Sequence, residues 1–481
     1  MLSTHRHWVH LFGLLSLFGC LWVHYVLLQG VPHVVDESSY LLQARVFASG
    51  HRTAGAWPLS EYFHLAYWNS APISYSAFPF GWPLLLSIGE LIGAPGLINP
   101  ICAASLPYLT YALVKPLRGD REALIAAMVI SISPGVWVLG GTMMSHTSCL
   151  VAALGLWVAL RHDNPKLIWA VVCWGYWLWA RPFEGVLFGL PLTLWAVRLN
   201  WASLLRLAPL YALVLGVQLW DNFVLTGHPT TFPVNVWFEA KAALGTVPEG
   251  CNALGFGENI GCIPTLGTMG HSMEKAIRIA RDSLFRLDYL LLAFSGSFVL
   301  AVMGLWRWKQ GWPYALALVW PVVAYMFYWS PGSLYGARFY HNLYLFLPLF
   351  LAAGLSVLPK HWPFVAVPMV VVFGGFQIAG DLGNGYRCVD GELVSNVRGL
   401  DLTGTVFIDI RHKYMEEWPA FWFEAQECTV VQMATGIAAE NRPNLQIRQL
   451  PSDSSKLELA PQPHYVLRKW TSEPAELLRI E

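Results

Sequence analysis

Trp8-Val-His-Leu-Phe-Gly-Leu-Leu-Ser-Leu-Phe-Gly-Cys-Leu-Trp-Val-His-Tyr-Val-Leu-Leu28, followed by Val34-Val-Asp36-Glu37-Ser-Ser-Tyr40, sets the terms for the rest of the chain. The first run is long and apolar enough to cross a bilayer as one helix. The second puts two adjacent carboxylates where the chain should leave the membrane. Behind them Tyr40, Leu41, Ala44 and Phe47 recur at helical spacing, up to Gly50. That spacing predicts a short amphipathic helix on the membrane surface with Asp36 at its N-cap. Ionisable groups at a membrane edge are costly to desolvate and mark candidate sites. The plainer alternative makes Asp36 only a cap and turns Glu37 to water.

Composition agrees with a chain built for lipid. Of 481 residues, 55% are hydrophobic, 24 are Trp and only 12% are charged; an ordinary soluble domain carries about 25% charged residues. The reading is an all-α polytopic membrane protein. The formal net charge of +0 gives no argument for nucleic acid. The charge is unevenly placed: residues 381–481 hold 25 of the 60 charged side chains, fifteen acids and ten bases. This break marks a soluble C-terminal domain at 381–481 after a transmembrane domain at 1–380. The first apolar run follows His5-Arg6-His7 and lacks a small-residue cleavage signal, so it reads as an uncleaved helix.

Basic residues orient the chain. Arg6 places the N-terminus in the cytoplasm and Asp36 outside, and Lys115-Pro-Leu-Arg118-Gly-Asp-Arg121 is the next cytoplasmic anchor. Between them, 80–93 is short, carries Pro83 and Glu90, and reads as a re-entrant or surface helix within an outer loop at 30–96. Residues 97–114 make the crossing. Further crossings are expected over 123–141, 147–160, 167–180, 186–197, 207–225, 287–305, 312–329, 339–358 and 364–378, about eleven in all. A large outer loop fills 227–286. In the last hundred residues, 405–410, 428–433 and 464–469 read as strands and 412–426 as a helix, which suggests a small α/β domain. Cys20, Cys102, Cys149 and Cys173 fall in apolar runs. Cys251 with Cys262, and Cys388 with Cys428, fall outside as two candidate disulfides.

On this topology Asp36, Glu37, His146, Arg181, Glu184, Tyr335, Arg338 and His341 collect at the outer surface. Each has an ordinary explanation: interfacial anchoring for the arginines, a helix end for His146, the aromatic belt for Tyr335. Together they combine carboxylates with guanidiniums. Arginine holds phosphate in a bidentate geometry, and a nearby carboxylate can take a proton from an incoming hydroxyl.

The order of these features resembles the GT-C superfamily of membrane glycosyltransferases, in particular its dolichyl-phosphate-mannose protein mannosyltransferase and aminoarabinose transferase branch. Asp36-Glu37 matches the place of an acidic motif in the first outer loop. Phe78-Pro-Phe-Gly-Trp-Pro83 to Gly93 is similar to the Pro-rich stretch that follows it. Arg181-Pro182 and Tyr335-Gly-Ala-Arg338-Phe-Tyr340 match later motifs. The resemblance spans about residues 8–380. Where many members carry a second acidic residue, this chain has His146, so metal use is left undecided. The resemblance implies an inverting transfer from a polyprenyl-phosphate sugar to a glycan, lipid or protein hydroxyl at the outer face, in a bacterial cytoplasmic membrane. It implies Asp36 and Glu37 as catalytic residues. His146, Arg181, Glu184, Tyr335, Arg338 and His341 become the substrate-binding set. A lipid or solute transporter and a non-catalytic membrane scaffold remain as alternatives. A transporter's charges belong near the bilayer midplane on broken helices.

Overall fold

A computed structural model of the chain describes residues 2–55, 67–69, 72–161, 165–198, 200–262 and 270–383, together with four C-terminal strands. In chain order the elements begin with α1 (Leu2–Trp22), α2 (Val35–Ala48), β1 (Trp68–Asn69), β2 (Tyr75–Ser76), α3 (Gly81–Leu91) and α4 (Ile98–Arg118). Then come α5 (Asp120–Ile132), α6 (Pro134–Gly140), α7 (His146–Arg161), α8 (Leu167–Ala180), α9 (Pro182–Glu184) and α10 (Leu190–Ala196). They are followed by α11 (Trp201–Thr226), α12 (Pro233–Ala243), α13 (Met273–Leu292), α14 (Ser297–Arg307), α15 (Trp312–Tyr325), α16 (Leu347–Leu355) and α17 (Pro363–Gly383). The strands β3 (Gly404–Asp409), β4 (Leu445–Gln449), β5 (His464–Arg468) and β6 (Glu476–Ile480) close the chain.

The chain divides into two units, and most of the helices lie in the first, which takes in 1–23, 79–82 and 96–381. Among the described residues four helices are long and apolar enough to cross a membrane, or six if each of two bent pairs is one span. About eleven crossings were expected from hydropathy. Part of the difference arises where the backbone turns within an apolar run. The expected crossing at 123–141 is α5 and α6, bent by 51° at Ser133-Pro134; the residue before a proline is pushed out of helical conformation. The expected crossing at 287–305 is broken by 85° between α13 and α14. There Ala293 takes a left-handed φ of 54°, and Asp288 accepts hydrogen bonds from the N–H groups of Gly296 and Phe298, capping α14. Both ends of the 227–286 stretch hold helix, since α12 lies near its start and the first part of α13 at its close. The expected crossing at 339–358 starts as a 3-10 helix, Arg338–Leu345, before α16. Pro348 has no N–H to give to Tyr344, which removes one α-helical bond here and suits the first turn of α16, where it sits.

The segments that the charge pattern places on one side meet at one end of this unit. Arg121 donates to the carbonyls of Ser356 at 3.1 Å and Leu358 at 3.0 Å, satisfying orphan acceptors at the end of α16. Elsewhere α14 and α16 pack through small residues. A Cβ on Gly304 would sit 2.0 Å from the Phe350 carbonyl oxygen, and one on Gly354 would sit 2.1 Å from that of Leu300. Backbone cannot give way as a side-chain tip can. Gly304→Val is therefore expected to cost about 1–3 kcal/mol of stability. Gly216→Ala, where the added methyl meets open space, should be close to neutral. Thermal unfolding of both variants in detergent checks this, and equal shifts would sink the packing argument.

The second unit takes in 24–78, 83–95 and 382–481. In it α2 differs from the expected surface helix, because residues 37–44 are buried all round. The buried polar side chains are met by the following loop. Ser39 donates to the Tyr67 carbonyl at 2.8 Å, Gln43 accepts from the N–H of Ser76 at 2.9 Å, and Gln43 donates to Arg52 at 3.0 Å. Glu90, the acid that interrupts the 80–93 apolar run, pairs with Arg45 at 3.2 Å and ties α3 to α2.

The C-terminal strands form one sheet in the order β4-β3-β5-β6, with β3 parallel to β4 and β5, and β6 antiparallel to β5. β3 and β5 fall where strands were expected, at 405–410 and 464–469. The expected strand at 428–433 and helix at 412–426 lie outside the described residues, as do Cys388 and Cys428. Cys251 and Cys262 form a disulfide.

Candidate functional site

Asp36 is not the cap of α2. Val34 stands at the N-cap, and its side chain has no acceptor. The work of capping falls to Glu37, whose Oε2 accepts from the N–H groups of His33 and Val34, each at 3.1 Å. This is the return half of a capping box, with the acid three residues into the helix. Glu37 is buried, contrary to its reading as a water-facing group, and Asp36 beside it is half-buried. The carboxylate that hydropathy assigned to capping is thus released from that duty, and its neighbour holds the helix start in place. Both belong to the second unit.

The remaining candidates belong to the first unit and build up around Glu184. Arg181 ends α8, and Pro182 starts the next turn, α9, so Arg181 and Glu184 stand three apart on one helical surface. They form an ion pair through Arg181 Nε and Glu184 Oε1, with Glu184 almost wholly buried. Three more donors reach the same carboxylate. Tyr325 Oη donates to Oε1 at 2.5 Å, Trp177 Nε1 to Oε2 at 3.1 Å, and Asn342 Nδ2 also to Oε2. Arg181 in turn donates to Tyr325 Oη at 3.2 Å. Glu184 is occupied by protein donors, which makes it the residue that fixes Arg181.

Arg338 opens the 3-10 helix and is only 8% exposed. Its guanidinium lies 5.3 Å from the Phe339 ring, and that of Arg181 lies 5.6 Å from the same ring. His146, the first residue of α7, packs its ring 6.2 Å from Phe339 and lies within electrostatic reach of Arg181, Arg338 and His341. His341 packs 5.0 Å from the Tyr344 ring. Tyr335 is buried three residues before Arg338, with a left-handed φ of 57°. Such a conformation is uncommon for a bulky side chain and re-aims the chain into the 3-10 turn. The structure therefore brings His146, Arg181, Glu184, Arg338 and His341 together. Two guanidiniums thus lie against one aromatic ring, at 5.3 Å for Arg338 and 5.6 Å for Arg181.

Sequence reasoning missed the residues that hold this arrangement. Tyr325, Trp177 and Asn342 sit inside or beside apolar runs. Asn99 was the most readable, being an amide in an apolar stretch. Its NH2 group lies within 3.0 Å of the carbonyls of Leu139, Thr142 and Met144, and Trp82 Nε1 donates to Met143 at 2.7 Å. These bonds hold the turn that leads into His146. Gly81 serves the same end from another side. A Cβ there would lie 2.6 Å from the Ala180 nitrogen, one residue before Arg181. Among the described residues no three His, Cys, Asp or Glu side chains gather as a metal-holding group.

No protein-family model matches the sequence, and neither does any curated protein. The chain is similar in structure to an oligosaccharyltransferase from Archaeoglobus fulgidus solved with zinc and sulfate. That match has 15% identity and a TM-score of 0.42, and covers 88% of this chain and 61% of that one. It is also similar to AglB from the same organism in complex with an inhibitory peptide and a dolichol-phosphate. There the identity is 12%, the TM-score 0.43, and the coverage 88% of this chain and 63% of that one. A third is ArnT from Cupriavidus metallidurans bound to undecaprenyl phosphate, at 13% identity and TM-score 0.46, covering 90% and 76%. The chain thus spans about three-fifths of the length of the first of these, the 61% given above.

Proposed function

We propose that this chain is a membrane glycosyltransferase that moves a sugar from a polyprenyl-phosphate donor to an acceptor hydroxyl. The observation that supports the reading is the pair of guanidiniums, Arg181 and Arg338, that both lie against the Phe339 ring, with Arg181 set by a Glu184 carboxylate that four donors share. Arginine's planar fork matches a phosphate, and two such forks this close to one ring suit the binding of one lipid-linked phosphate.

In this reading Arg181 and Arg338 hold the donor phosphate, Glu184 sets Arg181, and Tyr335, His146 and His341 complete the binding set. Asp36 takes the proton of the acceptor hydroxyl, and Glu37 fixes the helix that carries it. The acceptor oxygen forms a bond to the anomeric carbon. The carbon–oxygen bond to phosphate breaks, and the lipid phosphate leaves with that electron pair. Direct displacement of this kind inverts the anomeric configuration. In this reading the site opens on the extracytoplasmic side, which the positions of Arg6 and Lys115 support, in a bacterial inner membrane as the resemblance implies.

The test is a conservative change. An interfacial anchor needs only a charge on a long stem, which Lys also has. A phosphate fork needs two parallel donors, which Lys lacks. Arg338→Lys is expected to weaken donor use by about tenfold or more, since a hydrogen bond to a charged group contributes about 1.5–3 kcal/mol. Membrane insertion and melting temperature should hold. Donor titration of Arg338→Lys and Arg181→Lys in nanodiscs decides it; unchanged apparent affinity and turnover in both would reject the phosphate role.

A further inference from the structure

The turn into α7 carries polar atoms that no hydrogen bond among the described residues uses. Ser145, His146 and Thr147 are consecutive and all nine-tenths or more buried. Ser145 Oγ, both ring nitrogens of His146 and Thr147 Oγ1 have no hydrogen-bond partner among the described residues. His341 is equally buried, with its Nε2 in the same condition, and the two histidines lie within electrostatic reach of each other. Leaving one such atom unsatisfied is costly, and a set of them in one place points to something that enters from outside. The turn is also held rigidly, by Asn99 and Trp82 on its carbonyls and by Tyr176, whose hydroxyl donates to Ser148 at 2.6 Å.

The chemistry of these atoms says what would satisfy them. Phosphate oxygens only accept, so they match guanidiniums and the free N–H groups at a helix start. They do nothing for the bare nitrogen of a neutral imidazole or for the lone pairs of Ser145 and Thr147. A hydroxyl group both donates and accepts, and a ring bearing several hydroxyls can meet all of these atoms at once. A sugar esterified to the donor phosphate is such a ring, and it lies one bond away from the group that Arg338 and Arg181 would hold. Resting on the lipid-phosphate reading, we propose that Ser145, His146, Thr147 and His341 form the subsite that reads the hydroxyl groups of the donor sugar.

Binding measurements on the full-length protein in nanodiscs test this, using undecaprenyl phosphate and a panel of undecaprenyl-phosphate hexoses as probes. In the unaltered protein at least one hexose-bearing lipid should bind roughly tenfold or more tighter than the bare lipid phosphate, as expected of a site built to bond hydroxyls. Thr147→Val should cut that difference while affinity for undecaprenyl phosphate itself stays within about twofold, the size of a lost neutral contact, and His146→Phe and His341→Phe should cut it as well. Thr147→Val, nearly isosteric, carries the test should either aromatic variant misfold, and melting temperatures report on the fold. A preference for the hexose lipid that survives undiminished in all three variants means that the turn is filled by structural water only, and overturns the proposal. Equal weakening of both probes overturns it as well, because the turn then serves the phosphate or the fold. Binding of undecaprenyl phosphate with no hexose preference in the unaltered protein rejects the sugar subsite alone. Failure to bind undecaprenyl phosphate at all rejects the lipid-phosphate reading beneath it.

Discussion

Asp36→Asn is expected to lower donor-dependent transfer by about 10²–10⁴-fold, the usual loss when a general base is removed, with the protein still folded. The structure makes this a clean experiment. Capping at the start of α2 rests on Glu37, which accepts from His33 and Val34, so the change at Asp36 leaves those two bonds untouched. Asn keeps the size of the side chain, removes its charge and takes away its ability to accept a proton. Single-turnover assays on the purified variant, beside its melting curve, give the answer. Transfer at near the unaltered rate would leave Asp36 without a role as base. The neighbouring position should respond differently. Glu37→Gln retains a capping acceptor and should melt close to the unaltered protein, whereas Glu37→Ala should lose about 1 kcal/mol through the missing cap.

The second large effect is on stability. Glu184→Ala is expected to cost about 3–5 kcal/mol, the range seen when one partner of a buried ion pair is removed. Arg181 would lose its counter-charge, and Tyr325, Trp177 and Asn342 would each lose the acceptor they now share. Few membrane domains have that much stability to lose, so the variant should melt far below the unaltered protein or fail to be recovered from detergent. Glu184→Gln should sit between the two. It keeps one acceptor oxygen but sets an amide NH2 against other donors. Thermal unfolding of the three proteins orders them, and a melting point for Glu184→Ala within a degree or two of the unaltered one would show that the carboxylate holds nothing together.

Much of the fold was readable because hydropathy and charge act locally. The runs that became α1, α4, α11 and α17 are long, apolar and bounded by polar residues, and each is a helix able to cross a membrane. Arg181 and Glu184 were both named among the candidate polar residues, but their pairing was not drawn, although three residues on a helical turn can place two side chains side by side. The Asp36 cap was misread for an equally local reason. Asp is a favoured capping residue, but a Glu three residues into a helix can cap it from inside, and both lie in the same short stretch. The breaks between α5 and α6 and between α13 and α14 were hidden because apolar side chains continue across them while the backbone turns.

By itself, then, the sequence determined a largely helical chain of apolar segments, a charge-rich C-terminal part and a short roster of candidate polar residues, because burial preference and helical period are written residue by residue. Tertiary structure alone decided which of those polar residues meet. Tyr325 and Asn342 come to Glu184 from 141 and 158 residues away, and Asn99 holds a turn some forty residues ahead of it, 40 to the nearest carbonyl and 45 to the farthest. A buried carboxylate takes whichever donors the packed helices bring to it, and no spacing along the chain records that choice.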